Sequence, residues 1–200
     1  MVDVVSHNLF PTVVHQFTLD ISYLDKKQMI SYINEGKLKP NGMKQTEDDI
    51  HKMSYFKNFK NEIINLNKTI LDKLEYEYED ILITSMWGNL LFPSQTHSPH
   101  THSNNFLSGV FYLQSDDLSG EIEFFDPRPQ AGVLSPRIKK GIMENSNAIG
   151  FEPKDNMGLI FPSWLQHWVQ PTNSKRISLS WNILVKGHYG APNTLQNAYI

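Results

Sequence analysis

The chain has 200 residues, of which 40% are hydrophobic and 20% charged, and it has no cysteine. This composition excludes a mainly disordered chain, and the missing thiol excludes disulfides, thiol catalysis and thiolate metal sites. A formal net charge of −3 provides no broad basic surface for bulk binding to nucleic acid.

No run reaches the roughly 18 apolar residues of a membrane span, so no membrane partner is expected. The opening MVDVVSHNLFPTVVHQF has neither the basic leader nor the apolar core of a secretory signal, and the expected location is the cytoplasm. With no repeat, low-complexity stretch or Gly/Ser linker, the reading is one domain over 1–200. It divides into a helical N-terminal part over 19–80, a strand-rich core over 81–186 and a C-terminal tail over 187–200.

The first predicted helix starts near Asp20–Ser22, a plausible N-cap region, and shares Leu24, Met29, Ile30 and Ile33 on one face before Gly36 ends it. Residues 41–54 are polar, contain an NG pair and read as a loop. A longer helix is predicted from about Tyr55 to Glu79. Phe56, Phe59, Ile63, Leu66, Ile70, Leu71 and Leu74 recur at spacings of three and four, and lysines and acids occupy the other face. Both helices read as scaffold packed on a sheet.

Beyond residue 80 the texture turns to β. ILITSMWGNLLF, FLSGVFYLQ, GEIEFFDP, GLIFPSWLQHWVQP and RISLSWNILV are short, rich in β-branched and aromatic residues, and bounded by Gly, Pro, Ser or Asp. Alternation puts Ile122 and Phe124 on one face of their strand. It puts Ile177, Leu179 and Trp181 on one face of the last strand and Arg176, Ser178 and Ser180 on the other. Many short strands with turn signals predict an α+β, mainly β fold built on a sandwich or barrel. Segment 128–157 reads as a long loop.

Eight histidines stand out in a cysteine-free chain, and any transition-metal site must use nitrogen and oxygen ligands. His100 and His102 form an H-x-H pair, and two residues at i and i+2 on extended chain point to the same side. His97 lies across Pro99 and reads as a loop residue. His7, His15, His51 and His188 carry no argument. His167 sits on another predicted strand, between aromatic residues. Nine residues later Arg176 and Ser178 share the polar side of their strand, where a buried guanidinium needs an anion or an internal ion pair.

In order, these segments resemble the 2-oxoglutarate- and Fe(II)-dependent oxygenases, and within them a small family known mostly from bacteria and phage. Trp87-Gly88-Asn89 is similar to its W-x-N element and His100-Thr101-His102 to its H-x-H. Leu107–Leu113 resembles its L-S-G-V-Y-Y-L strand, and Gly120–Pro127 its G-x-I-x-F-x-D-P segment. Phe161–Val169 resembles F-P-S-x-L-x-H-x-V and Arg176–Asn182 resembles R-I-S-x-S-x-N. The resemblance covers about residues 55–185.

The resemblance implies a double-stranded β-helix, or jelly roll, with the helices packed on one sheet. It implies Fe(II) as cofactor, 2-oxoglutarate as cosubstrate, O₂ as co-reactant and a hydroxylase reaction on a substrate that stays unnamed. His100, His102 and His167 are the implied metal ligands. Arg176 and Ser178 are implied to hold the cosubstrate's distal carboxylate, with Tyr112 and Asn89 as further cosubstrate contacts. Trp87, Asn104 and Trp164 are expected around the substrate pocket, whose aromatic lining also draws on Phe111 and Trp168.

The wider superfamily places an acid where His102 stands. Three readings remain open: three histidine ligands; one of His100 and His102 with a carboxylate such as Asp126; or Asn104 in place of the acid. The first needs no added assumption and is preferred. Two other functions stay open as well. One is a cupin-like three-His dioxygenase without 2-oxoglutarate, and the other is a non-catalytic jelly-roll binding module. Loops 92–106 and 128–157, with Arg128, Arg137, Lys139 and Lys140, are expected over the mouth.

Overall fold

The structure, a computed structural model, describes residues 2–40 and 42–200. Met1 of the opening segment and Asn41 of the expected NG turn lie outside the described residues. Strand β1 (His15–Thr18) leads into helix α1 (Tyr23–Asn34), a short hairpin of β2 (Lys37–Leu38) and β3 (Lys44–Gln45), and helix α2 (Lys57–Lys73). The core strands follow: β4 (Asp80–Leu91), β5 (His97–His100), β6 (Leu107–Gln114), β7 (Ile122–Phe125) and β8 (Ala148–Phe151). They continue with β9 (Met157–Pro162), β10 (His167–Val169) and β11 (Arg176–Lys186), and the chain ends in β12 (His188–Tyr189) and β13 (Ala198–Tyr199).

A seven-stranded sheet in the order β1-β9-β6-β11-β4-β3-β2 faces a four-stranded sheet in the order β5-β10-β7-β8. Their ladders are antiparallel. This is the expected α+β, mainly β jelly roll with helices on one sheet. Among the described residues no helix is long and apolar enough to cross a membrane.

Alternation along the strands sorts side chains into two cores. Val110, Tyr112, Leu159 and Phe161 from the large sheet meet Ile122 and Phe124 from the small one. On the other face of the large sheet, Phe111, Leu113, Leu179 and Trp181 pack against Met29 and Ile33 of α1 and Phe59 and Ile63 of α2. Each large apolar side chain buried this way contributes roughly 1.5–3 kcal/mol. Strand β6 is buried throughout except at Gln114, because it has a packed layer on both faces. Ser22 caps α1 by accepting from the Asp25 N–H at 3.2 Å.

Several expected boundaries move. The stretch over 19–80 is not helical throughout: β2 and β3 interrupt it and extend the large sheet, where β3 pairs with Leu90 and Asn89 of β4. α2 stops at Lys73 rather than Glu79, because Glu75 takes a left-handed φ of 59° just past the C-cap. Leu24, placed on the buried face of α1, is exposed. The long loop contains β8, which pairs with β7. The tail does not trail free: β12 and β13 pair, and the Tyr199 hydroxyl donates to Glu79 Oε2 at 2.6 Å. β1, which the sequence did not announce, pairs with β9 and sets Phe17 against Phe111 at a ring separation of 6.0 Å.

A row of polar side chains crosses the middle of the large sheet. Asn182 of β11 lies between Ser85 of β4 and Ser108 of β6. Its amide donates to Ser85 Oγ at 2.9 Å and its carbonyl accepts from Ser108 Oγ at 2.7 Å. Ser108 has spent its proton, so Ser163, 2.8 Å away, donates to it. Ser163 is wholly buried in the turn between β9 and β10. Its N–H donates to Phe106 O at 3.0 Å, and its carbonyl accepts from the His102 N–H at 2.9 Å. The row therefore ends on the backbone that anchors His102.

Two substitutions test this packing. Trp181 stands opposite Gly109 across the ladder, and a Cβ on Gly109 would sit 2.1 Å from Trp181 Cζ2. Gly109→Ala should cost roughly 1–3 kcal/mol by overpacking, read as a lower Tm, and an unchanged Tm would contradict that contact. Asn182→Ala leaves the Ser108 hydroxyl without its acceptor and should cost about 1–3 kcal/mol in urea denaturation. A neutral result there would mean the row is not a buried network.

Candidate metal centre

The small sheet sets two histidines side by side. His167, the first residue of β10, stands opposite His100, the last residue of β5. His102 comes two residues after β5 ends, held by its backbone bond to Ser163. The ring centroids are 5.0 Å apart for His100 and His102, 4.4 Å for His100 and His167, and 5.2 Å for His102 and His167. One nitrogen from each ring lies within 4.8 Å of the others, and the group contains no carboxylate.

The rings are oriented by the backbone. His100 Nδ1 lies 2.7 Å from Ser98 O and His167 Nδ1 lies 2.9 Å from Leu165 O. A carbonyl only accepts, so each Nδ1 carries a proton and each Nε2 is the atom left to face a metal. Burial pushes His102 down to about 4 and His167 down to about 3, so both are neutral at pH 7. Phe161 and Phe124 flank His167 at ring separations of 4.7 and 5.7 Å. Three imidazole nitrogens this close together fit Fe(II), among other divalent transition metals.

The same cavity, of about 230 Å³, is lined by all three histidines and by Arg176 and Ser178. Arg176 is 1% exposed, and its Nε and Nη2 have no hydrogen-bond partner. Its Nη1 reaches Ser178 Oγ at 3.5 Å, and its guanidinium carbon lies 4.8 Å from the Tyr112 ring centroid. The Tyr112 hydroxyl is fully buried and also lacks a partner, and burial raises its pKa. Leaving a buried guanidinium and a phenol unsatisfied is costly, so the arrangement calls for an anionic acceptor. Two parallel guanidinium N–H groups match a carboxylate, which fits the distal end of 2-oxoglutarate.

Asn89 and Trp87 line the cavity. The Asn89 carbonyl accepts from Gln45 Nε2 at 3.1 Å, and its amide donates to Ser180 Oγ at 3.3 Å. Other expectations need correction. Asn104 is exposed at a left-handed φ of 61° and does not line the cavity. Trp164, 58% exposed at the β9–β10 turn, does not line it either. Phe111 faces the helices, and Trp168 points outward to donate to Glu123 Oε2 at 2.5 Å. Asp126 stands apart from the histidine group and forks with Arg128, at 2.9 Å to Nε and 2.7 Å to Nη2.

Among the polar lining residues, Gln45 and His97 are not marked as site residues by the sequence. Gln45 comes from the hairpin read as loop, and nothing in its local pattern marks it. The sequence predicts a loop at His97, but this residue opens β5 and lines the cavity. Burial, then the nearby Arg176, push its pKa down to about 4. Pro99 inside a strand was the available signal, because strand prolines mark edges and bulges.

Comparison with known proteins agrees with this geometry. No curated protein matches the chain in sequence. The fold resembles a prolyl-4-hydroxylase from Pseudomonas putida at 15% identity and a TM-score of 0.61, covering 86% of this chain and 92% of that one. It resembles the viral collagen prolyl hydroxylase of Paramecium Bursaria Chlorella virus-1, solved as a 2OG complex, at 10% identity and a TM-score of 0.58, with 85% and 94% covered. It also resembles the alpha ketoglutarate dependent epimerase SnoN from nogalamycin biosynthesis at 10% identity and a TM-score of 0.64, with 92% and 83% covered. The family model described as "Putative 2OG-Fe(II) oxygenase" matches residues 85–182, a stretch that runs from β4 into β11 and contains the three clustered histidines and Arg176. The jelly-roll core over residues 85–182 thus matches a family of 2OG-Fe(II) oxygenases, enzymes that use Fe(II), 2-oxoglutarate and O₂ on a substrate.

Proposed function

We propose that the protein is a hydroxylase whose iron is held by His100, His102 and His167 and whose 2-oxoglutarate is held by Arg176, Ser178 and Tyr112. The observation that carries this reading is the pairing, in one cavity, of a three-imidazole group with a buried guanidinium that has no protein acceptor, with the buried Tyr112 phenol behind that guanidinium. A three-His dioxygenase that dispenses with 2-oxoglutarate has no use for that arginine.

When bound, the Fe(II) supplies the site at which O₂ converts 2-oxoglutarate to succinate and CO₂ and delivers one oxygen atom into a substrate C–H bond. The residues of this chain do the rest. Arg176 and Tyr112 take the distal carboxylate and so fix how far the keto-acid end reaches toward the imidazoles. The Ser98 and Leu165 carbonyls hold the Nδ1 protons and keep Nε2 of His100 and His167 aimed inward. With three neutral ligands in place of two and a carboxylate, the site carries one more positive charge, which favours an anionic cosubstrate. Trp87, Asn89 and Gln45 form the wall left for the substrate. Phe161 and Phe124 keep water from His167.

Two measurements test the reading. Tag-free protein loaded anaerobically with Fe(II) should consume O₂ only when 2-oxoglutarate is present, with succinate formed. O₂ consumption that ignores 2-oxoglutarate would sink the proposal. In calorimetry with Mn(II), Arg176→Ala should weaken 2-oxoglutarate binding about 10- to 150-fold, the range for losing a hydrogen bond to a charged group, and leave metal binding unchanged. His167→Ala should weaken metal binding beyond the roughly 10- to 100-fold loss that follows removal of an outer-shell partner.

A further inference from the structure

Strand β5 contains an irregularity that changes which way one histidine faces. His100 pairs with His167 and His97 pairs with Val169, with a register shift between the two pairs. Two steps along β10 therefore match three steps along β5, so one extra residue sits in the Ser98–Pro99 segment. In a regular strand, residues three apart face opposite sides of the sheet. A bulge cancels that inversion and re-aims a side chain. Here it turns His97 to the same inner face as His100, and both line the cavity. Pro99 suits this position, because β5 is the edge strand of the small sheet and a bulge needs no ladder donor there.

The ring turned inward has no other employment. His100 and His167 each give their Nδ1 proton to a carbonyl, whereas the His97 ring makes no hydrogen bond among the described residues. It also stands outside the three-imidazole group. Its ladder partner Val169 is two residues beyond His167, so His97 lies one ladder pair further along the cavity wall, level with Ile122 of β7. His97, His100, His167 and Arg176 all line the one cavity.

We propose that His97 is a cosubstrate contact: its ring N–H donates to a carboxylate oxygen of 2-oxoglutarate along the path between the three-imidazole group and Arg176. A neutral imidazole has one such donor, and a carboxylate has lone pairs left over after a guanidinium fork. The inference rests on the reading of the site given under Proposed function.

The test uses the full chain loaded anaerobically with Mn(II), with calorimetry for the metal and then for 2-oxoglutarate. His97→Ala should bind the metal within about twofold of wild type and 2-oxoglutarate about 10- to 100-fold more weakly. His97→Gln, which keeps a donor, should recover part of that loss, and circular dichroism checks that both variants fold. Unchanged 2-oxoglutarate affinity in both variants overturns the inference and leaves the wider reading standing. A metal loss as large as that of His167→Ala also overturns it, by making His97 a ligand. Wild-type protein that takes the metal but no 2-oxoglutarate overturns the inference and the wider reading together.

Discussion

The alternation along β11 is the constraint on which both halves of the molecule depend. This strand lies between β4 and β6 near the middle of the large sheet. Its Ile177, Leu179 and Trp181 seat the helices, and its Arg176, Ser178 and Ser180 face the cavity. A slip of one residue would exchange the two sets, placing a guanidinium in the apolar layer and an indole in the site. The apolar layer is therefore what holds the polar one in register. Gly109, opposite Trp181, and Gly88, where a Cβ would meet Ile33, are gaps in the sheet surface that let those large side chains settle.

The electrostatics of the cavity follow from what burial does to each group. Desolvation disfavours the charged form of an imidazole, and a neutral ring offers a lone pair to a metal. A guanidinium cannot lose its proton and instead needs an anion. Placing the two kinds of group in one cavity gives a site chemically suited to a cation at one end and a carboxylate at the other. A molecule with a metal-binding end and a distal carboxylate suits both. The missing superfamily acid makes the cavity more positive, and among the described residues no acid joins the histidine group: Asp126, the carboxylate the sequence offered, is spent on Arg128.

Precision at the metal end comes from irregular backbone. The single turn over 162–165 serves two histidines, with Ser163 O holding the His102 backbone and Leu165 O holding the His167 ring. The Ser85–Asn182–Ser108–Ser163 row ties that turn to the middle of the large sheet. Ser108, Ser163 and Asn182 belong to the L-S-G, F-P-S and R-I-S-x-S-x-N segments, which accounts for their place beside the chemically obvious residues, and Ser85 stands two residues before the W-x-N element. The bulge in β5 is the second such device, adding a fourth imidazole to the wall.

Much of this was readable from local pattern. Period-two alternation in RISLSWNI placed Arg176 and Ser178 together on the inner face, and EIEFF placed Ile122 and Phe124 in the core. The H-x-H pair, the distant His167 and the arginine nine residues later marked the site, because alternation and spacing are properties of contiguous residues. What failed depended on partners distant in sequence. Trp164 and Phe111 look alike as aromatic candidates, and only packing put one in solvent and the other under the helices. Gln45 reached the site through a hairpin whose pairing with β4 is invisible locally, and the last residues became a strand because Gly187 and Ile200 meet. The direction of His97 depended on a register shift against β10. The sequence by itself determined the alternation that makes an anion-seeking face and a metal-ready trio. Only the tertiary structure decided which further side chains share that cavity, because bulges, turns and edge pairings are set between strands and not within them.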